Sequence, residues 1–345
     1  MVRNILLGGL LALVGLGIWQ RELVHYGWMQ ARGQLRILWN TRSVAEVLAD
    51  PAFPDSLKAN VRLIQEIRRF AVDSIGLNPS GSYTSLYDQR GKPILWVVVA
   101  AEPYALKAKE WSFPVLGRFA YKGFFEQDRA VAEQMALRAQ GYDTRLNDVS
   151  AWSTLGFLDD PILSSMLTRR EGSLAELIIH ELTHGTLFVK DNLEYNENLA
   201  DFVGEYGALR FLARKYGPNS PQYRAYLAEK EYNERYDEHI FRGTRKLDSL
   251  YRTFTPQTAA AHKESRKWAL IRTIVETVDT LAAAPRPAAA TRRSFRQRPL
   301  PNNAYFMAYS TYRQQQNRFR QEFEKRFHSD FRTYLTYLKK TYPSL

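Results

Sequence analysis

Cysteine is absent from this chain of 345 residues. Disulfide scaffolds, thiolate zinc fingers, iron–sulfur clusters and cysteine nucleophiles are therefore excluded. Histidine is scarce, with six residues: His25, His180, His184, His239, His262 and His328. Any transition-metal site must be assembled from some of these and from carboxylates. Acids are outnumbered, 36 against 48 Lys and Arg, which leaves +12 and raises nucleic acid or an anionic membrane as partners. Apolar and charged residues, at 45% and 24%, stand in globular proportion, so disorder and fibrous low complexity are excluded as well. No internal repeat is present.

One long apolar run breaks the otherwise mixed pattern. Ile5 to Trp19 is uninterrupted by any polar residue except glycine, and Gln20-Arg21-Glu22 ends it. At 1.5 Å per residue the run spans about 22 Å against a hydrocarbon layer of ~30 Å, so Met1-Val2 and the interfacial Trp19 are needed to complete a span. No small-x-small cleavage site follows. Arg3 and the free amino group precede the run, while Arg21 and Glu22 cancel behind it. The expectation is an uncleaved transmembrane anchor over residues 1–25, with the remainder outside the cytoplasm at the inner membrane.

Past the anchor the sequence reads as one α+β unit, residues 26–345, mostly helical around a small twisted sheet. Helical spacing from Ser56 to Ile75 ends at Gly76. The β-branched run of residues 94–100 predicts a strand buried on both faces, with partner strands in 113–125 and 144–153 and a helix over 128–140 between them. The sheet-containing part is thus expected at about 80–170, packed on a following helix. Long helices are predicted at about 173–190 and 194–215. A helical C-terminal part covers 218–345, broken by a loop at 282–301 with four prolines, five arginines and no acid. Phe319, Phe323, Phe327, Phe331 and Leu335 recur every fourth residue, which predicts one last helix packed by that stripe.

His180-Glu181-Leu182-Thr183-His184 is an H-E-x-x-H sequence, expected by chance in roughly 0.6% of shuffled chains of this composition. Ser173 and Glu176 read as a capping box, and Leu174, Leu177, Ile178, Leu182 and Leu187 as a buried stripe, so the motif belongs inside a helix. Histidines four apart lie on one helical face about 6 Å apart, close enough to share one ion at ~2.0–2.1 Å. Zinc lowers the pKa of water to about 7, and Glu181, rotated away from the ligands, can then take a proton as that water attacks a carbonyl.

A catalytic zinc site needs a third protein ligand. Glu197, thirteen residues after His184, sits where an antiparallel return helix would present it, and Glu194 is its nearby competitor. Asp201, one turn beyond Glu197, either accepts the free ring N–H of a ligand histidine, His180 above all, or is a solvated helix residue. The remaining four histidines read as surface or packing residues.

The pair His-Glu-x-x-His and Asn196-Glu197-x-x-Ala200-Asp201 resembles the gluzincin metallopeptidases, with Glu197 and Asp201 at their third ligand and orienting aspartate. Over most of the chain from Tyr26 the sequence resembles a bacterial family of putative aminopeptidases, small membrane-associated gluzincins. The stretches that carry this are Ala31–Leu35, Ile67–Ala71, Trp96–Ala101, Phe113–Gly117, Tyr121–Phe124, Ser153–Pro161, the metal motifs and Asn302-Asn303-Ala304. The resemblance implies one zinc ion, a peptide substrate and an oxyanion donor, for which it favours Tyr312 over Tyr305 and Tyr309. It also implies that Tyr121-Lys122-Gly123 lies on a strand edge that can pair with an extended peptide, and that the Ser153–Asp160 segment approaches the cleft. Family members carry a lipidated cysteine near the start; here the apolar run supplies the attachment instead.

Three other readings are set against a zinc aminopeptidase. An endopeptidase would use the same core, and the Gly-x-Met-Glu-Asn amine-binding motif of large gluzincin aminopeptidases is absent. A silent binding module has no need of Glu181. A nucleic-acid binder is disfavoured because no such motif accompanies the basic residues. The charge is also segregated: Glu171–Glu205 holds eight acids and one base, whereas residues 282–345 hold 13 bases and three acids.

Overall fold

The computed structural model describes residues 21–113, 117–149, 158–190, 192–278, 299–309 and 316–342. The apolar run Ile5–Trp19, most of the 282–301 loop, Ser153–Phe157 and Tyr312 lie outside the described residues. Among the described residues no helix is long and apolar enough to cross a membrane.

The fold is α+β and mostly helical. Helix α1 (Arg21–Trp39) leads through β1 (Thr41–Ser43) and the short α2 (Val44–Ala49) into α3 (Asp55–Phe70). One wide turn, Ala71–Ile75, extends α3 as far as Gly76, whose left-handed backbone (φ 91°) stops it where the sequence predicts. Strands β2 (Ser85–Tyr87) and β3 (Trp96–Ala101) follow, then a hairpin of β4 (Trp111–Phe113) and β5 (Gly117–Phe119), and β6 (Tyr121–Phe124). Helix α4 (Gln127–Ala139), β7 (Asp143–Asp148) and β8 (Ile162–Leu163) complete the sheet-containing part.

Two three-stranded sheets result. β3 is the centre of one, antiparallel to both β6 and β7, with Val98 opposite Lys122 and Leu146. The predicted burial of β3 on both faces is corrected: Val98 and Ala100 are buried, but Trp96, Val97 and Val99 are only partly so. Met29 from α1 and Ala130 and Leu137 from α4 cover the face that Val98 and Ala100 share, while on the other face only Ala101, at the strand end, is buried. The packing partner of the motif helix is corrected too. The sheet that shares its core is β1–β2–β8, through Leu86, Ile162 and Leu163, together with α3.

Helices α5 (Glu171–His184) and α6 (Leu193–Tyr216) form the most extensively packed pair. Then come α7 (Pro221–Arg252), α8 (Ala260–Glu276), the short α9 (Asn303–Phe306), α10 (Gln316–Phe327) and α11 (Phe331–Thr341). The predicted single last helix is two, because His328 and Ser329 take left-handed backbone and Asp330 caps a new start, accepting from the Arg332 and Thr333 amides. The stripe nevertheless converges: Phe323 and Phe331 pack with ring centroids 4.6 Å apart, and Phe202 of α6 meets Phe323 at 5.4 Å. The C-terminal helices thus brace the apolar back of α6, the side opposite its carboxylates.

Candidate metal centre

Local structure around the motif differs from the sequence reading in two places. Helix α5 begins at Glu171, and no capping box forms. Ser173 and Glu176 point instead to α7, where the Ser173 hydroxyl donates to Glu229 and Glu176 accepts 3.0 Å from the Tyr226 hydroxyl. Long-range partners outcompete the local amides. At its other end α5 stops at His184, six residues short of the predicted end. Asn196, buried in α6, accepts from the Val189 amide and donates to the Val189 carbonyl, both at 2.8 Å. That two-point clamp takes over backbone groups a longer helix would use, and it sets how α6 returns along α5.

Glycine sets the spacing of the two helices. A Cβ on Gly204 would lie 2.9 Å from the Glu176 carbonyl and 3.2 Å from the His180 Cβ; one on Gly207 would lie 2.7 Å from Ile75. With hydrogen at both positions, α6 approaches close enough for its carboxylates to reach the histidines. A Cβ at Gly204 would push it away from the backbone of α5, whereas one at Gly207 would press only on the side-chain ends of Ile75 and Ile179.

His180, His184 and Glu197 come together, each offering one ligand atom within 4.8 Å of the others. The two Nε2 atoms are 3.2 Å apart, and Glu197 oxygens lie 3.6 Å from each. Ligand atoms around a tetrahedral ion with bonds of ~2.0–2.1 Å stand about 3.4 Å apart, so the donor set fits one such ion in both chemistry and spacing. His180 Nδ1 meets Asp201 Oδ1 at 3.0 Å. Glu194 is exposed and outside the cluster. Glu181 is partly buried, and its charge is felt at His180.

The electrostatics follow from burial and from the acids. Burial alone would disfavour a His180 imidazolium, but its hydrogen bonds to Asp201 and Glu197 outweigh that and lift its pKa to about 10. His184 is pushed down to about 4 by burial and by the neighbouring His180. Burial opposes ionisation of Glu197, yet the two histidines hold its carboxyl below the usual range. The metal-free cluster therefore holds a proton on His180, between two carboxylates.

Two tyrosines feel the charge of this centre. Tyr121, on the sheet-edge strand β6, has its phenol pKa raised by burial and then by the charge of Glu197, which places β6 beside the cluster. Tyr83 was not suggested by any sequence pattern. It is buried in a left-handed turn (φ 62°), its backbone amide donates to the Asp160 carbonyl, and its hydroxyl has no hydrogen-bond partner among the described residues. Burial raises its pKa well above the ordinary value, and the charges of Glu181 and Asp160 raise it further. Behind α5, burial and the charge of Glu205 push Glu176 up to about 7. Tyr83 carries no spacing signature, and the local patterns that include Asn196 and Glu176 do not reveal their partners, Val189 and Tyr226.

Two helices presenting imidazoles and a carboxylate to one point, beside a sheet edge, define an α+β protein with a candidate metal-binding centre. The chain belongs to the family described as Putative aminopeptidase, which matches residues 25–342. That is a peptidase family, and peptides are the substrate class it implies. Comparison with curated proteins and with solved structures returns no match.

Proposed function

We propose that the protein is a zinc-dependent peptidase of the gluzincin kind, acting as an aminopeptidase with Glu181 as its general base. The observation that carries this reading is the convergence of His180, His184 and Glu197 on one point, with Asp201 behind His180. A zinc ion bound there supplies a Lewis acid that polarises the scissile carbonyl and makes water more acidic. Asp201 accepts the Nδ1 proton of His180 and so turns its Nε2 lone pair toward the cluster. Glu181 takes a proton from the attacking water as the oxygen bonds to the carbonyl carbon. The same carboxyl then delivers that proton to the amine as the C–N bond breaks. β6 is an edge strand whose Gly123 carbonyl is already taken by Tyr26 and Gln30 of α1; the rest of its outer backbone is offered to an extended substrate, and the charge of Glu197 is felt at Tyr121. Tyr312 is the proposed oxyanion donor, on the family resemblance alone. The apolar run Ile5–Trp19, with Arg3 ahead of it, supports a catalytic body held outside the cytoplasm at the inner membrane.

Metal analysis of the native chain and of Glu181→Gln tests the mechanism. Both are expected to hold one zinc ion, while hydrolysis falls by at least about a hundredfold in the variant. Equal activity refutes the role of Glu181. Free and N-acetylated forms of one peptide test the exopeptidase mode: undiminished cleavage of the blocked form assigns an endopeptidase instead.

A further inference from the structure

Helix α1 has two faces of different chemistry. On one, Met29, Gly33 and Ile37 are buried, the Tyr26 hydroxyl and the Gln30 amide donate to the Gly123 carbonyl of β6, and the Phe125 ring fills the space beside Gly33. On the other, Arg21, His25, Trp28, Arg32, Leu35, Arg36 and Trp39 follow one another at helical spacing and are all exposed. Trp28 is 67% exposed, Trp39 78% and Leu35 40%. Two bare indoles three turns apart on a helix that is firmly docked by its other side are not explained by the fold. A buried protein contact would have to neutralise the guanidinium groups set between the indoles, and a water-facing helix has no use for the indoles.

We propose that this face of α1 rests on the surface of an anionic bilayer. Tryptophan prefers the headgroup boundary, where its ring is half in apolar surroundings and its N–H meets polar groups. Arg21, Arg32 and Arg36 supply cations matched to lipid phosphate, and no carboxylate stands among the described side chains of that face. Trp28 and Trp39 are about 16 Å apart along the helix axis, so a surface touching both lies parallel to the helix. In the sequence a single residue, Gln20, separates the apolar run Ile5–Trp19 from the start of α1. A membrane reached by that run is therefore at hand for α1. Because Tyr26 and Gln30 tie the same helix to β6, contact with lipid also sets the orientation of the sheet edge. This inference concerns the surface alone and stands whether or not the zinc chemistry does.

The test uses the full chain reconstituted into vesicles with brominated acyl chains, made of phosphatidylcholine alone or with about 30% phosphatidylglycerol. Tryptophan fluorescence of the native chain minus that of Trp28→Phe or Trp39→Phe isolates each indole and cancels Trp19. Both difference signals are expected to be quenched at least about twofold more in the anionic vesicles than in the uncharged ones, and to lose that excess in an Arg32→Glu/Arg36→Glu variant. Signals untouched by bromine but quenched by aqueous acrylamide would place the face in water and overturn the proposal. So would signals shielded from both quenchers in a chain that sediments as a dimer, since a second copy then covers the face. Equal quenching in uncharged vesicles would overturn the pairing of the arginines with lipid headgroups.

Discussion

Asp201 Oδ1 stands 3.0 Å from His180 Nδ1, while Glu197 Oε2 stands 3.6 Å from Nε2 of the same ring. One imidazole is thus held between carboxylates four residues apart on α6, and its orientation is set by the helix facing it. With Nδ1 held at Asp201, Nε2 of the ring has one direction left, toward His184 and Glu197.

Asp201→Asn keeps a hydrogen-bond acceptor beside Nδ1 and removes the charge. Zinc affinity is expected to fall about 10- to 100-fold, read by competition with a chromophoric chelator, with helical circular dichroism unchanged. An unaltered affinity would leave Asp201 as a solvated helix residue.

Gly204→Ala tests the helix spacing. Its methyl group would meet the Glu176 carbonyl at 2.9 Å, so the substitution is expected to cost about 1–3 kcal/mol in denaturant unfolding. It should also weaken zinc binding, because Glu197 and Asp201 retreat with α6. Gly27→Ala is the contrast: nothing lies within 4 Å of its added Cβ, and helix propensity predicts a gain of roughly 0.5–1 kcal/mol.

The pH dependence of the metal-free protein should show Glu176. Burial, then Glu205, raises its folded pKa from 4.5 to about 7. A raised pKa means that the contribution to stability is complete below pH 4.5 and is lost as pH climbs through about 7, on the order of 1–3 kcal/mol. His180, raised from 6.5 to about 10, loses its contribution in a later window, between those values. Glu176→Gln keeps an acceptor for the Tyr226 hydroxyl and should flatten the lower window alone. Urea unfolding from pH 4 to 10 in the presence of a chelator separates the two; an unchanged lower limb would reassign it.

Much of the molecule was legible in the sequence where the signal is local. The i,i+4 spacing of His180 and His184, the second carboxylate motif and the stop at Gly76 are each properties of one helix. The structure departs from the local signal where distant groups compete with local ones. Ser173 and Glu176 resemble a cap, but Glu229 and Tyr226 of α7 draw their side chains away. The apolar spacing carries the motif helix to residue 190, yet Asn196 takes the backbone of Val189. A four-residue aromatic period looked like one helix, although packing on α6 is equally served by two short ones joined at His328 and Ser329.

The lack of cysteine confined any transition-metal site to histidine and carboxylate, and the spacing along two helices nominated the residues. Those are consequences of composition and of the 3.6-residue turn. Tertiary structure alone decided that the nominees meet, that Glu197 and not Glu194 joins them, and that the charge of this centre is felt at Tyr83 and Tyr121. It also turned Trp28 and Trp39 outward together. Each of these depends on how closely and at what angle separate segments pack, and such close approach is granted by hydrogen atoms at Gly204 and Gly207, whose meaning appears only when the facing helix is in place.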